Sequence, residues 1–294
     1  ESAFIDFPSV AYDSNAQKVV IAFRDVGNSN YGTAIVGTVS GTSISFGSAA
    51  VFESANTNDV EAVYDASAQK VVILYRDNGN SDYGTGIVGT VSGTSISFGS
   101  AAVFESAKSE YMSAVYDSNA QKIVVAYRDG GNSNYGTAVV GTVSGTSITF
   151  GSATVFESAD IPFLSAVYDS KNQKVFIAYE DTGNSSYGTF VSGTVSGNSI
   201  SFESPAVFDS TDSDKIAAAY DANAERVVIA YRDGGNSEYG TAVVVRPAST
   251  NLTSENFIGI AEYAASDTET ATVLIKGGVS TTQSSLTAGQ TYFV

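Results

Sequence analysis

The sequence predicts an all-β protein, and three observations carry that prediction. The stretch IVVAYRDGGNSNYGT, from Ile123 to Thr137, comes round five times, with its Tyr-Gly-Thr at Tyr31, Tyr83, Tyr135, Tyr187 and Tyr239, always 52 residues apart. Within a repeat the apolar runs are short and bounded by Gly, Asn and Ser clusters, the signature of strands and turns. No segment carries a 3.6-residue apolar period, so almost no helix is expected. A fixed period of this size marks a propeller or a solenoid, and 52 residues is long for a solenoid coil. The predicted architecture is a five-bladed β-propeller over residues 1–247, in phase at Tyr12, Tyr64, Tyr116, Tyr168 and Tyr220. A small C-terminal β module follows over residues 248–294.

One repeat, Glu53 to Phe104, shows the elements in order. Glu53 to Glu61 reads as a crossover loop, and Ala62-Val63-Tyr64 as a short strand. Asp65 to Gln69 is a turn rich in small and polar residues. Lys70 to Arg76 (KVVILYR) is a strand whose apolar run does not alternate, so both faces should be covered. Asp77 to Ser81 is a loop, and Tyr83 to Val91 a strand with glycines that allow close approach. Ser92-Gly93-Thr94 is a tight turn. Ser95 to Phe104 is a last strand in which Gly99 suggests a bulge or bend. The fifth repeat stops short, because Arg246-Pro247 stands where the next turn belongs. The strand that completes it is expected from Asn256 to Ala261. Phe257 to Ala264, Thr270 to Lys276 and Thr291 to Val294 read as further strands. Glu1-Ser2-Ala3 matches Glu53-Ser54-Ala55, so the chain opens in mid-repeat, as a piece of something longer does.

Composition narrows the function. The net charge is −17, from 14 basic and 31 acidic residues. That argues against nucleic acid and anionic membranes, which call for basic patches. No apolar run approaches the length of a membrane span. There is no Cys and no His, which removes disulfides, thiolate metal sites and the commonest general base.

Antiparallel strands alternate ends, so two sets of loops face opposite ways. The hairpins YDSNAQK, YDASAQK, YDSNAQK, YDSKNQK and YDANAER are nearly constant and read as structural. On the other face lie loops such as RDVGNSNYGT and EDTGNSSYGT. Asp25 and Asn28 suit backbone capping there, and Gly27 a positive φ. Ca²⁺ is the one cofactor that such Asp and Asn oxygens admit; otherwise no cofactor is called for. The same face carries the crossover windows FIDFPS, NTNDVE, KSEYMS, DIPFLS and DSDKIA, which differ in every repeat. A solvent loop tolerates such variation, yet large apolar residues exposed in a loop also mark contact. The candidate ligand-binding residues are therefore Phe4, Phe7, Asn58, Asp59, Tyr111, Met112, Phe163, Leu164, Asp214 and Lys215. The loop positions Asn30, Asp82, Asn134, Ser186 and Glu238 join them. A glycosidase needs two carboxylates in unlike roles. Asp25, Asp77, Asp129, Asp181 and Asp233 occupy equivalent places, and only Glu180, where the other repeats have Arg, is an odd carboxylate. No enzyme is expected on that ground.

The repeat wording YDSNAQK, RDGGNSNYGT and VGTVSGTSISFG resembles tandem repeats in tail-fibre and other structural proteins of marine bacteriophages, over residues 1–245. The stretch LTSENFIGIAEYA, ATVLIKGGV and LTAGQTYFV looks like a small β module that follows such arrays. The resemblance implies a virion-surface, extracellular protein. Its partners would be a host-surface glycan or protein and, through the C-terminal module, other virion proteins; association with further copies of itself stays open. A structural spacer and a glycoside hydrolase on a five-bladed propeller are the alternative readings.

Overall fold

The computed structural model describes residues 4–246, together with residues 260, 261, 273 and 274. The chain divides into two compact units, Glu1–Pro247 and Ala248–Val294. Among the described residues there is no α-helix; four 3₁₀ turns are the only helical structure.

The first repeat sets the pattern. β1 (Ile5–Asp13), β2 (Lys18–Asp25) and β3 (Tyr31–Ser40) form an antiparallel meander. Asp13 accepts at 2.9 Å from the amide of Ala16 and closes the first turn. β4 (Ser43–Phe46) folds back on the second half of β3, pairing from Ser40↔Ser43 to Gly37↔Phe46. The chain then breaks step over residues 47–49, the bend that the glycine announced. β5 (Ala50–Asp65) takes up the first half of β3, pairing Ala34↔Ala50 and Tyr31↔Asn56. It does not end there. From Thr57 onward it pairs with β6 (Lys70–Asp77) of the second repeat.

The crossover loops of the sequence reading are thus strand, which corrects that expectation. Each long strand is the outer edge of one sheet and the inner strand of the next. The physical reason is that an irregular crossover would leave backbone donors and acceptors unpaired, and a continuous ladder pairs them. A bulge follows the change of partner. Register slips between Asn58 and Glu61, and Asp59 has φ 46°. Phe7, Tyr111 and Lys215 hold the same bulge position with φ of 49°, 50° and 51°.

The pattern continues through β7 (Tyr83–Ser92), β8 (Ser95–Phe98), β9 (Ala102–Asp117), β10 (Lys122–Asp129), β11 (Tyr135–Ser144) and β12 (Ser147–Phe150). The next shared strand is split into β13 (Thr154–Asp160) and β14 (Leu164–Asp169). Pro162 lies in the gap, and a proline has no amide to give to a ladder. Then come β15 (Lys174–Asp181), β16 (Tyr187–Ser196), β17 (Ser199–Phe202), β18 (Ala206–Asp221), β19 (Arg226–Asp233) and β20 (Tyr239–Val245). Among the described residues no strand joins β1 to β18, β19 or β20, so the sheet does not close on itself. In the second unit β21 (Ile260–Ala261) pairs with β22 (Val273–Leu274). The remaining residues of the expected strands Phe257 to Ala264, Thr270 to Lys276 and Thr291 to Val294, and of the expected closing strand, lie outside the described residues.

Successive sheets stack on apolar faces. Val20, Ala22, Ala34 and Val36 of repeat 1 meet Val71, Ile73, Tyr75, Ile87 and Ile96 of repeat 2. Equivalent clusters join repeats 2 and 3, 3 and 4, and 4 and 5. This accounts for apolar runs without alternation in the middle strands. Phe52 crosses the gap to Tyr75 and Phe98, with ring centroids 5.2 and 5.9 Å away. The hydroxyl of Tyr75 donates to Glu53 at 3.2 Å, and Tyr127 and Tyr179 do the same to Glu105 and Glu157 at 3.0 Å.

Two predictions follow from this packing. A Cβ on Gly99 would lie 1.8 Å from the Thr146 carbonyl oxygen of the next repeat, whereas one on Gly240 would meet nothing within 4 Å. Gly99→Ala should therefore lower stability by about 1–3 kcal/mol in denaturant titrations, and Gly240→Ala should leave it unchanged. The second concerns Glu61, which stands on the inner strand where other repeats have Ser9, Ser113, Ser165 and Ala217. Ser9 donates to it at 3.0 Å, and burial pushes its carboxyl up to about 7 from 4.5. The folded state holds that proton more tightly than the unfolded chain. Stability is therefore full below about pH 4.5 and is lost as the pH rises through 7, by something on the order of 3 kcal/mol. Glu61→Gln should abolish that loss in thermal melts compared between pH 5 and pH 8.

Candidate functional site

Each middle strand ends in a charged pair, and its first member faces the variable windows. Arg24 bonds Asp6 of its own repeat and Asn58 of the next, and its guanidinium lies 5.0 Å from the Phe7 ring centroid. Arg76 pairs with Asp59 at 3.2 Å and with Glu110 at 3.0 Å. Arg128 reaches Glu110 at 2.6 Å and grips Asp160 through two bonds of 2.6 and 2.9 Å. Glu110 bridges Arg76 and Arg128, so a chain of ion pairs links repeats 2 to 4, and the hydrogen bond from Arg24 to Asn58 ties repeat 1 to it. Lys108 adds a contact to Glu110 at 2.7 Å. These arginines were not singled out in the sequence reading. Their signal was a constant Arg beside windows that each supply an acid.

Glu180 interrupts the chain. It is 7% exposed, and burial pushes its carboxyl up; Ser186 bonds it, while the charges of Asp212, Asp214 and Asp160 push it up further. Asp214 goes the other way. Its bonds to Arg232 pull it below the usual carboxylate range, and Arg232 also pairs with Glu238 at 3.1 Å. A small cavity of about 20 Å³, lined by Asp212, Asp214, Arg232, Gly234 and Glu238, opens beside them. Two neighbouring carboxyl groups whose proton affinities are driven apart can serve as acid and base.

The other predicted residues fall into four groups. Tyr111 and Phe163 come together, with ring centroids 5.6 Å apart, and Lys215 lies 4.1 Å from the Phe163 centroid. Tyr111 stays 42% exposed and Phe4 69%. Met112 and Leu164 turn inward and pack against the cores between repeats. Asn58 and Asp59 are committed to the ion-pair chain, and Asp214 is held by Arg232 beyond the break. Among the loop positions, Asn30, Asp82, Asn134, Ser186 and Glu238 all have positive φ, from 59° to 65°. The carbonyls of Asn30, Asp82 and Ser186 accept from Thr57, Ser109 and Ser213 at 3.0–3.3 Å, while the side chains of Ser186 and Glu238 bond Glu180 and Arg232.

The loop itself is tied as expected by Asp25, which accepts from the amide of Asn28 at 3.2 Å. Asn28 is therefore capped rather than capping. Positive φ falls on Ser29 and Asn30, not on Gly27. The glycine is needed for space, since a Cβ at the equivalent Gly79 would lie 2.4 Å from that of Ala55. Among the described residues no group of three or more acidic side chains is arranged to hold a metal ion.

No protein-family model matches the chain, and no curated protein matches it in sequence. Solved structures do match in fold. A protein of unknown function from Dyadobacter fermentans is 13% identical, with a TM-score of 0.54 over 82% of this chain and 83% of its own. The SapL1 lectin in complex with α-methyl fucoside is 12% identical, with a TM-score of 0.50 over 81% and 76%. An exo-β-1,3-galactanase from Phanerochaete chrysosporium with β-1,3-galactotriose is 12% identical, with a TM-score of 0.47 over 73% and 53%. At such identities the likeness speaks for the fold alone, an all-β, propeller-like one.

The expectation of a protein without catalysis is corrected here. Glycoside hydrolases, two of them of family 43, stand among the similar structures, at 8–12% identity and TM-scores of 0.38–0.47. The argument behind that expectation also fails within the chain. It weighed the five equivalent loop aspartates and the odd Glu180 but not Asp214 of the next repeat, and Glu180 and Asp214 sit in opposite electrostatic settings.

If Glu180 is held at a cost to the fold, Glu180→Arg should stabilise the protein. The guanidinium found in the other four repeats would then face Asp160, Asp212 and Asp214. The expected gain is about 1 kcal/mol or more, each kcal/mol appearing as a rise in Tm of about 2–4 °C, read by calorimetry at pH 7.

Proposed function

We propose that this protein acts on a carbohydrate, bound across the face that carries the variable windows, and hydrolyses a glycosidic bond there. Glu180 is the proton donor in this reading and Asp214 the ionised partner. The observation that carries it is the break in the ion-pair chain. One repeat of five replaces its arginine by a buried carboxyl whose proton affinity is pushed above the ordinary range, while that of its neighbour Asp214 is pulled below it. Glycoside hydrolysis asks for such a pair. The exposed Tyr111 ring and Phe4 offer apolar surface for a sugar face. The lectin likeness supports a saccharide as ligand through fold alone.

Four repeats of four-stranded sheet and a fifth with three strands among the described residues, stacked face to face, are read in this proposal as the blades of a five-bladed propeller. The virion-surface setting is carried by the repeat wording. In that setting the glycan would belong to a host surface.

An oligosaccharide array together with reducing-sugar release from a panel of polysaccharides tests the reading. Glu180→Gln should lower turnover about 100-fold or more and leave binding in place. Activity should fall as rising pH strips the proton from Glu180. Binding without any release by the unaltered protein would remove the hydrolytic step, and neither binding nor release would remove the whole reading.

A further inference from the structure

One window position in each repeat meets a cation. In repeats 1 to 3 that cation is the arginine of the same repeat. The Arg24 guanidinium lies 5.0 Å from the Phe7 ring centroid, Arg76 pairs with Asp59 at 3.2 Å, and the Arg128 guanidinium lies 6.0 Å from the Tyr111 centroid. In repeat 4 Glu180 stands in the arginine's place. Phe163, the corresponding window residue, accepts through its carbonyl from the amide of Glu180 at 3.0 Å. The cation on its ring comes instead from repeat 5: the Lys215 ammonium, 4.1 Å from the centroid.

Lys215 differs from the other cations of this face in what it holds. Arg24, Arg76, Lys108, Arg128 and Arg232 are each paired with a carboxylate. Among the described residues Lys215 has no carboxylate partner, and it is exposed. Acids are plentiful in this chain, 31 against 14 basic residues, so the lack of a partner is a matter of placement. Asp160 and Asp214 are already taken by Arg128 and Arg232. An ammonium carries three donors, and the attraction of a ring face uses none of them as a hydrogen bond would. The place is also next to the proposed chemistry. Phe163 adjoins Glu180, Lys215 follows Asp214 on β18, and the Tyr111 ring, 5.6 Å from that of Phe163, extends the aromatic surface onto repeat 3.

We infer that the sugar held beside Glu180 and Asp214 carries a negatively charged substituent, a carboxylate or a sulfate ester. Lys215 receives that group while the sugar ring rests on Tyr111 and Phe163. The rings supply apolar contact that any sugar face can use, and the ammonium selects among sugars by charge. This rests on the carbohydrate reading above and narrows its substrate to an acidic glycan.

An array of neutral, uronate-containing and sulfated oligosaccharides tests this, probed with the full chain both unaltered and carrying Glu180→Gln to stop turnover. Acidic glycans should be retained, and neutral ones bound about tenfold more weakly or worse. The difference should shrink as salt screens the charge. Retention of the uronate or of the sulfated class identifies the substituent. Lys215→Gln should abolish the preference and Lys215→Arg should keep it. Phe163→Leu should weaken acidic and neutral glycans alike. Neutral glycans bound as tightly as acidic ones, or an acidic preference that survives Lys215→Gln, overturns the inference and leaves the carbohydrate reading standing. No glycan bound by either protein overturns both.

Discussion

A phenylalanine ring wedged between successive sheets is the contact on which the array depends. Phe52 lies over Gly32 of its own sheet, where a Cβ would come within 2.3 Å of the ring, and reaches Tyr75 and Phe98 of the next. Phe104, Phe156 and Phe208 sit in the same way over Gly84, Gly136 and Gly188. The constancy of two distant motifs has one cause. Tyr-Gly-Thr keeps its glycine because Phe-Glu-Ser supplies the ring above it, and the middle strand keeps its tyrosine because the glutamate beside that ring accepts its hydroxyl. Each wedge buries a large apolar side chain, worth roughly 1.5–3 kcal/mol, and sets the spacing between sheets at the same time.

Charge is organised on one side of this stack. The molecule carries far more acid than base, yet its arginines are concentrated at the ends of the middle strands, where Arg76 and Arg128 are each shared between two window acids and Arg24 and Arg232 each hold one. The variable windows are thus constrained more than their sequences suggest. They differ in wording, but most supply a carboxylate or amide oxygen to an arginine and a residue able to take positive φ at the bulge. Only in the fourth repeat does the exchange of Arg for Glu reverse the local sign, and there the carboxyl groups of the fourth and fifth repeats confront one another.

Much of the sheet structure was legible from residues alone. The meander of the middle strands, the hairpin capped by Asp65 and the break at Gly99 all follow from local patterns of apolar and turn-forming residues. The continuity of β5 and β9 through the windows was not legible. NTNDVE and KSEYMS have neither alternation nor β-branched density, and what keeps them extended is a ladder to a neighbour about 20 residues ahead in the chain. The site was half legible. Glu180 stood out by its difference from Arg24, Arg76, Arg128 and Arg232. Its setting did not, because Asp212 and Asp214 belong to the next repeat, and comparing one repeat with another hides contacts made between them. Met112 and Leu164 illustrate the converse: large apolar residues in a variable window that serve the core.

The shared strand also decides how order can spread along the polymer. Since β5 closes one sheet and opens the next, no sheet is complete until the following repeat has begun. Yet no side-chain hydrogen bond spans more than the 56 residues from Thr142 to Asn198 among those described. Cooperativity is therefore nearest-neighbour in kind, as in a one-dimensional lattice. A ribosome releasing this chain would never need to wait for its far end. Each newly emerged 52 residues finds a finished template already standing behind it, and the array can grow the way a crystal edge does.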